Sequence, residues 1–457
     1  MLWSREVVPF LDLLSVTGPA FIGPSQVVPA SLASGQYFII VTVDEENELV
    51  FLSVESPSSD FYGGHRPGDN LFGESIVAVD LNTGEYKWHF QVVHHAIWDH
   101  DLSSAPLIMD VEIDGRDRQI LALPTKQAFM YVFDRITGEP IWPIPEVPVP
   151  QGNVPGEWYS PTQPRPSDKL LYGNPELDFP DDLIDFTPEM REMAIKNLDR
   201  WVWKEGTLYN PPIAGDVNGM LGGINLGNAG GGTNWPGGAF DPETGIVYAS
   251  ATTSAIGGIS LTPPPEGYSN VNYIAGRVGE PFRMRNAAGT GQNPDAPKEV
   301  NYPVYDGPPV VIPSLNVKGL SILKPPYGVI AAIDMKAGEV LWRVAHGETP
   351  DNVRNHPDLQ GMDVPRTGQR GSVGSVVTKT LVILGDPRVT NPGDRERGAM
   401  LRAYDKMTGE NVGEVWMPAG QSGSPMTYMI DGKQYICVSV SGGAYAGEFR
   451  VYALPDD

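Results

Sequence analysis

The stretch Ala78-Val-Asp80-Leu-Asn-Thr83-Gly84-Glu-Tyr-Lys-Trp88 decides the fold, because the chain repeats it. It returns as Asp134-Arg-Ile-Thr137-Gly138-Glu-Pro-Ile-Trp142 and as Ala332-Ile-Asp334-Met-Lys-Ala337-Gly338-Glu-Val-Leu-Trp342. Weaker copies begin at Asp241 and Asp405, with the tryptophan absent or displaced to Trp416. Short β-rich runs (SIVAV, FMYVF, GVIAAI, MLRAY) precede the copies. Aspartate and threonine bond the local backbone in a tight turn, and glycine takes the φ > 0 position. Each copy therefore predicts a hairpin whose tryptophan, at a fixed offset on the outgoing strand, wedges between neighbouring sheets. Repeated four-stranded sheets with one aromatic per unit predict an all-β chain of the β-propeller type. The competing architecture is a β-sandwich with several similar hairpins, but a sandwich has no reason to repeat Asp-x-x-Thr-Gly-x-x-x-Trp.

Composition agrees. The 457 residues include Gly 52 and Pro 44, about a fifth of the chain against an average near ~12%. Such content excludes a helical bundle or coiled coil, since both residues interrupt helices. It falls short of the ~25–30% that marks low-complexity disorder. Hydrophobic residues at 41%, with Trp 10, Tyr 18 and Phe 14, can bury a large core. The net charge of −24 makes nucleic acid and anionic membrane poor partners. Cys437 stands alone and cannot form an internal disulfide. No apolar run approaches the ~18 residues of a transmembrane segment. Glu6 and Asp12 interrupt the N-terminal stretch where an export signal needs an unbroken apolar run, so no signal peptide is expected in this chain.

Two stretches break the repeat. Residues 144–212 open Pro-rich and are expected to wrap the surface, then run into a helix with Thr187 as N-cap and Pro188 at the first helical position. Residues 262–326 form a second loop-rich insertion. Insertions of this size sit on one face of a propeller and shape its site.

Polar chemistry is densest at His94-His95-Ala-Ile-Trp98-Asp99-His100-Asp101. One reading is a polar loop anchored by Trp98. A zinc site would need the i, i+4 histidine pair or cysteines that the segment lacks. The third reading is an acid/base carboxylate beside an aromatic that lowers the local dielectric. Upstream, Arg66-Pro-Gly-Asp69-Asn70 is a turn. Downstream, Lys126 ends an apolar strand, as solvated surface or as a holder of an anionic ligand.

The blocks RPGDN (66–70), HHAIWDHD (94–101), TKQAFMYVFDRITGEPIWPI (125–144), TNWPGGAFDPETG (233–245), TPDNVRNHP (349–357) and SPMTYMIDGKQY (424–435) resemble, in order, the dehydrogenases that depend on pyrroloquinoline quinone (PQQ). The glucose dehydrogenase-like quinoproteins are the nearest branch, with methanol and alcohol dehydrogenases more distant. The resemblance covers residues 41–457 and leaves 1–40 as an atypical segment. It implies a quinoprotein-type propeller, eight-bladed in the family, with PQQ and calcium (Ca2+) near its axis. Asp99 would be the general base and a calcium ligand, and Lys126 would contact the quinone oxygens. The substrate implied is a primary alcohol, polyol or aldose, the electron acceptor a quinone or cytochrome, and the compartment the periplasm. A haem-binding CxxCH is absent, so no cytochrome domain is fused within this chain.

The sequence also departs from the family. Ser56 falls where the family has a calcium-binding asparagine, and a hydroxyl is a weaker calcium donor than an amide carbonyl. Phe38 replaces the tryptophan that floors the PQQ ring. Trp235, beside Asn234, keeps that pattern in a later blade as a ring or structural contact. Only about five blades' worth of hairpins is present, so the chain corresponds to the C-terminal part of the family propeller. The alternatives to an enzyme are an inactive fragment and a non-catalytic binding propeller.

Overall fold

The computed structural model describes residues 39–453, apart from 175, 177, 205, 216–219, 228–229, 265–268, 277–314 and 443. Among them five antiparallel meander sheets follow one another along the chain. The first pairs Ile39–Asp44, Leu49–Val54, Ser75–Asp80 and Tyr86–Gln91 in chain order. The second holds Leu107–Ile113, Arg116–Pro124 and Met130–Asp134. The third joins Gly238–Asp241, Ile246–Thr252, Gly328–Asp334 and Glu339–Ala345. The fourth comprises Val376–Val377, Leu381–Gly385, Ala399–Asp405 and Asn411–Met417. The fifth is made of Met426–Ile430, Lys433–Gly442 and Tyr445–Ala453. These are the blades that the hairpin repeats predict.

Strand periodicity explains why the blades stack. Successive side chains point to opposite faces, and inner strands are covered on both. In Ile246–Thr252 every residue is buried. Val247, Ala249 and Ala251 join Met109, Ile120 and Val132 of the second blade in one core. Ile246 and Tyr248 instead join Val382, Leu384 and Tyr404 of the fourth. This central strand thus contributes to two inter-blade cores, which explains its unbroken apolar run.

The Asp-x-x-Thr-Gly turns form as expected. Asp80 Oδ1 accepts hydrogen bonds from the amides of Asn82 (3.0 Å) and Thr83 (2.9 Å). Asp134 and Asp405 repeat the arrangement. The turns at Asp134, Asp334 and Asp405 are also docks for a tryptophan that comes before them in the chain. A Cβ built on Gly138 would fall 2.5 Å from the Trp88 ring, one on Gly338 2.4 Å from Trp142, and one on Gly409 2.7 Å from Trp342. The glycines have φ of 76°, 67° and 73°, so backbone conformation and ring contact both require glycine. The indole N–H donates to the next turn: Trp88 Nε1 to Arg135 O (3.2 Å) and Trp342 Nε1 to Lys406 O (3.3 Å).

The insertions build an accessory layer that periodicity did not announce. Trp201–Val202 of the first insertion pairs with Gly222–Leu226, which pairs with Ile256–Thr262; Ile213–Ala214 and, from the second insertion, Ile274–Ala275 pair with that same strand, so both insertions share one sheet. The predicted helix is present at Pro188–Leu198, and Thr187 Oγ1 accepts from Met190 N. Met190, Ala194 and Leu198 enter the core that unites the first two blades with this layer.

Trp88→Ala should cost about 3–5 kcal/mol in denaturant unfolding, because a 6%-exposed ring is lost from between two blades. Gly138→Ala should also destabilise, since the added methyl meets that ring. No change in either variant would sink the docking description.

His346 provides a pH prediction. It is fully enclosed, with Nε2–H donating to Gly385 O (3.1 Å) and Nδ1 accepting from the Tyr404 hydroxyl (3.0 Å). Burial, then the Arg402 charge, lowers its pKa from about 6.5 to about 3. Below pH ~6.5 the unfolded chain takes up a proton that the folded one refuses. Stability should therefore fall with acidification, by up to about 1.4 kcal/mol per pH unit from this group. His346→Gln should flatten that slope. Wild type and variant losing stability in parallel from pH 7 to 4 would refute the assignment.

Candidate active site

The loops at one end of the first two blades build the site. Ser56 follows the second strand of the first blade, Glu74 precedes its third, and Asp99 and Asp101 lie in the connection to the second blade. Lys126 sits in the turn after Pro124, closed by Ala128 N donating to Thr125 O (2.9 Å). The 92–103 loop is held from beneath. Trp98 is buried, its Nε1 donates to Asn210 O (2.8 Å), and its ring meets Tyr209 edge-on at 5.2 Å. His100 is buried too, with Nε2 against Leu226 O (2.9 Å). With its neighbours locked inside, Asp99 takes a left-handed conformation (φ 61°) that presents its carboxylate to Lys126.

The Arg66–Asn70 turn buttresses this loop. Arg66 Nη2 donates to Ser59 O (2.9 Å) and Ala96 O (2.6 Å), and its Nη1 bonds Asn70 Oδ1. His95 N donates to Asp69 O (3.0 Å). The His95 ring lies between Gly68 O (2.7 Å) and Glu157 Oε1 (3.0 Å), so the first insertion reaches in to clamp the histidine cluster.

At the centre, Lys126 Nζ bonds Asp99 Oδ1 (3.0 Å) and Asp101 Oδ2, with the lysine side chain only 5% exposed. Asp101 Oδ1 accepts from Ser56 N (2.8 Å). The Ser56 hydroxyl donates to Glu74 Oε1, which also accepts from His100 N (3.0 Å). Glu74 Oε2 is buried without a partner among the described residues. Burial, followed by repulsion from Asp101, raises Glu74 to about 8, Glu55 to about 7 and Asp60 to about 6. Within the coupled pair, burial pushes Asp99 up, while the Lys126 ammonium and its hydrogen bonds hold Asp101 well below the usual carboxylate range. Asp99 is thus the carboxyl of higher proton affinity, and Asp101 the one held as an anion beside Lys126. The Lys126 pKa is raised: burial opposes its charge, and Asp101 then Asp99 more than restore it.

Of the residues singled out from sequence, Asp99, Lys126 and Ser56 meet in this network. Asn234 and Trp235 lie beside it: Thr233 N donates to Thr125 O (3.0 Å), Asn234 O accepts from Ser104 Oγ (3.0 Å), and Trp235 N donates to Asn234 Oδ1 (2.8 Å). Trp235 shows 60% of its surface. Phe38 lies outside the described residues. Sequence reasoning missed Glu74 and Glu157 as site residues and placed Asp101 in the cluster without a role. The signal for Glu74 was a carboxylate directly before an apolar strand, and for Asp101 its spacing of two from Asp99.

No three His, Cys, Asp or Glu side chains among the described residues surround one point suited to a metal ion, and the Lys126 ammonium stands between Asp99 and Asp101. The donor chemistry nonetheless suits a hard dication: carboxylate and hydroxyl oxygens, with the unpartnered Oε2 of Glu74 among them. A cavity beside Lys126, lined by Ala128, Gly227, Gly232 and Thr252 among others, measures about 10 Å³, room for one water and not for a ring system.

A Trp-docked propeller with a buried lysine–carboxylate centre defines the class of β protein to which the chain is to be compared. The family described as PQQ glucose/ethanol/alcohol dehydrogenase, beta-propeller domain, matches residues 31–436, and the chain belongs to it. It is 31% identical to the quinoprotein glucose dehydrogenase of Gluconobacter oxydans (strain 621H), over 92% of this chain and 49% of that protein. It is 29% identical to the quinoprotein glucose dehydrogenase of Escherichia coli (strain K12), over 91% and 48%. Against the quinate/shikimate dehydrogenase (quinone) of Acinetobacter baylyi (strain ATCC 33305 / BD413 / ADP1) it is 28% identical, again over 91% and 48%. The chain spans about half the length of the curated relatives it matches. Among the described residues, no helix is long and apolar enough to cross a membrane.

Lys126→Met should destabilise the chain by about 3–5 kcal/mol, since it leaves Asp99 and Asp101 enclosed without their counter-ion. An unfolding midpoint equal to wild type would show that the lysine clasp contributes nothing to the fold.

Proposed function

We propose that the chain carries the acid–base centre of a PQQ- and calcium-dependent dehydrogenase that oxidises the CH–OH group of a primary alcohol, polyol or aldose. Electrons pass on to a quinone or cytochrome acceptor, and the periplasm is the compartment this reading carries. The observation that supports it is the pairing of buried Lys126 with two carboxylates of opposite character, Asp99 shifted up and Asp101 held down.

PQQ, when bound, supplies the acceptor for the hydride equivalent. Asp99 takes the proton of the substrate hydroxyl, a task for which its raised pKa fits it better than an ordinary aspartate. Lys126 would supply a fixed positive charge to the bound cofactor's oxygens, and burial makes that charge count for more than in water. Asp101 keeps Lys126 in place and ionised. Asp99, Ser56 and Glu74 Oε2 are the oxygens available to calcium. Trp235 offers an exposed indole.

Purified protein supplied with PQQ and Ca2+ should reduce a redox dye with alcohols, polyols or aldoses, and the rate should depend on PQQ. Asp99→Asn should lower turnover at least ~100-fold while the unfolding midpoint stays near wild type, since shape is kept and the base is lost. Turnover equal to wild type would overturn the assignment of Asp99. Soluble, folded protein that binds no PQQ would leave a propeller with the family's architecture and without its chemistry.

A further inference from the structure

A second cavity, about 440 Å³, opens between the third and fourth blades. That volume lies in the range of small-molecule sites. Arg370 and Arg388 line it together, with Ser254, Tyr327, Asn352 and Thr390. Arg370 sits in the segment that leads into the fourth blade. There Gly371 N donates to Thr252 Oγ1 (2.9 Å) and Ser372 Oγ to Gly232 O (3.1 Å). Gly232 packs on the carbonyl of Lys126, so the cleft adjoins the candidate active site.

The two arginines are held side by side. Arg388 Nε donates to Arg370 O (3.2 Å), and Arg388 N donates to Gln369 Oε1 (3.2 Å). This uses the Nε of Arg388 and leaves its outer guanidinium edge open to the cleft. Among the described residues neither guanidinium has a carboxylate partner. Asp351, the acid that lines the cavity, is committed to Arg354 (3.3 Å) and to the amide of Asn391 (2.9 Å). In a chain of net charge −24, two adjacent and uncompensated arginines run against the prevailing charge. Independently, the Tyr327 hydroxyl, on a side chain only 4% exposed, is buried without a partner.

We infer that this cleft binds the carboxylate of a polyhydroxylated ligand: Arg370 and Arg388 grip the carboxylate, and the neutral groups Ser254, Asn352, Thr390 and Tyr327 meet its hydroxyls, Ser254 as an acceptor because its own proton goes to Tyr327 O and Asn352 through the amide atoms that Gly319 O leaves free. Planar guanidiniums suit a carboxylate because two parallel N–H donors match its two oxygens. Hydroxyl and amide groups suit a polyol because they donate and accept without requiring charge. The inference rests on the dehydrogenase reading only for its placement next to Lys126. There it makes the substrate a sugar acid or hydroxy acid rather than a neutral sugar. PQQ also carries carboxylates, so the cofactor is the second possible source of the group.

The test is direct binding to the full chain by calorimetry, with no turnover required, using sodium gluconate, glucose and PQQ as separate probes. Gluconate should bind wild type more tightly than glucose, and more weakly as salt rises. Arg370→Gln/Arg388→Gln should weaken gluconate at least ~10-fold and leave the unfolding midpoint unchanged, since both side chains are exposed. Tyr327→Phe should weaken it less. Gluconate that still binds beside bound PQQ assigns the cleft to substrate. Displacement of gluconate by PQQ, with PQQ weakened in the double variant, assigns it to the cofactor. Gluconate binding that is absent, or the same in the double variant, overturns the inference. A chain that binds gluconate through these arginines yet reduces no dye loses only the dehydrogenase reading.

Discussion

The contact on which the rest depends is a tryptophan ring laid flat on a glycine of the next blade. Trp88 on Gly138, Trp142 on Gly338 and Trp342 on Gly409 repeat one joint three times. A side chain at the glycine would occupy the ring's space, and an L-residue there would resist the positive φ that closes the turn. The turn aspartate satisfies the amides of the same loop, so the dock is braced by its own hydrogen bonds as well as by the ring. Repetition of this joint sets the spacing between blades. The inner strands can then be apolar on both faces, because a neighbour covers each one.

That spacing determines where the chemistry falls. Asp99 leaves the first blade and Lys126 belongs to the second, so their 3.0 Å contact exists only because the two sheets are docked at a fixed distance. Five carboxyl groups gather about one ammonium, and burial forces them into different protonation behaviour. A cluster of this kind adds little to stability, since desolvation offsets much of the attraction. Its worth lies in holding one carboxyl at a higher proton affinity beside a permanent cation. The first insertion contributes by clamping His95 through Glu157, and the accessory sheet by closing the floor under Trp98 and His100.

Beyond the centre, the third and fourth blades leave a cleft with charge opposite to that of the chain as a whole. Its arginines stand on connections between strands, where backbone geometry can vary without disturbing the inter-blade cores. At the far end of the chain, the fifth blade shows Phe449 at 77% exposure and Met429 at 60%. Apolar side chains that would lie inside a stack elsewhere are open there.

The amino-acid sequence by itself determined the blade. Asp-x-x-Thr-Gly followed by tryptophan acts through bonds within a few residues, and alternation with period two acts along a single strand; both are local and therefore legible. The helix at Thr187–Leu198 was legible for the same reason, through its cap and proline. Asp99, Lys126 and Ser56 could be singled out by residue type and by resemblance. Only the tertiary structure decided that Asp101 shares Lys126 with Asp99, that Glu74 closes the network through Ser56, and that Arg370 and Arg388 stand side by side. Those pairings join residues 18 to 27 positions apart along the chain and depend on how separate loops meet. Their electrostatics follow from burial, which no linear spacing records. The accessory sheet was hidden likewise, because its strands are two to seven residues long and find partners in separate segments of the chain.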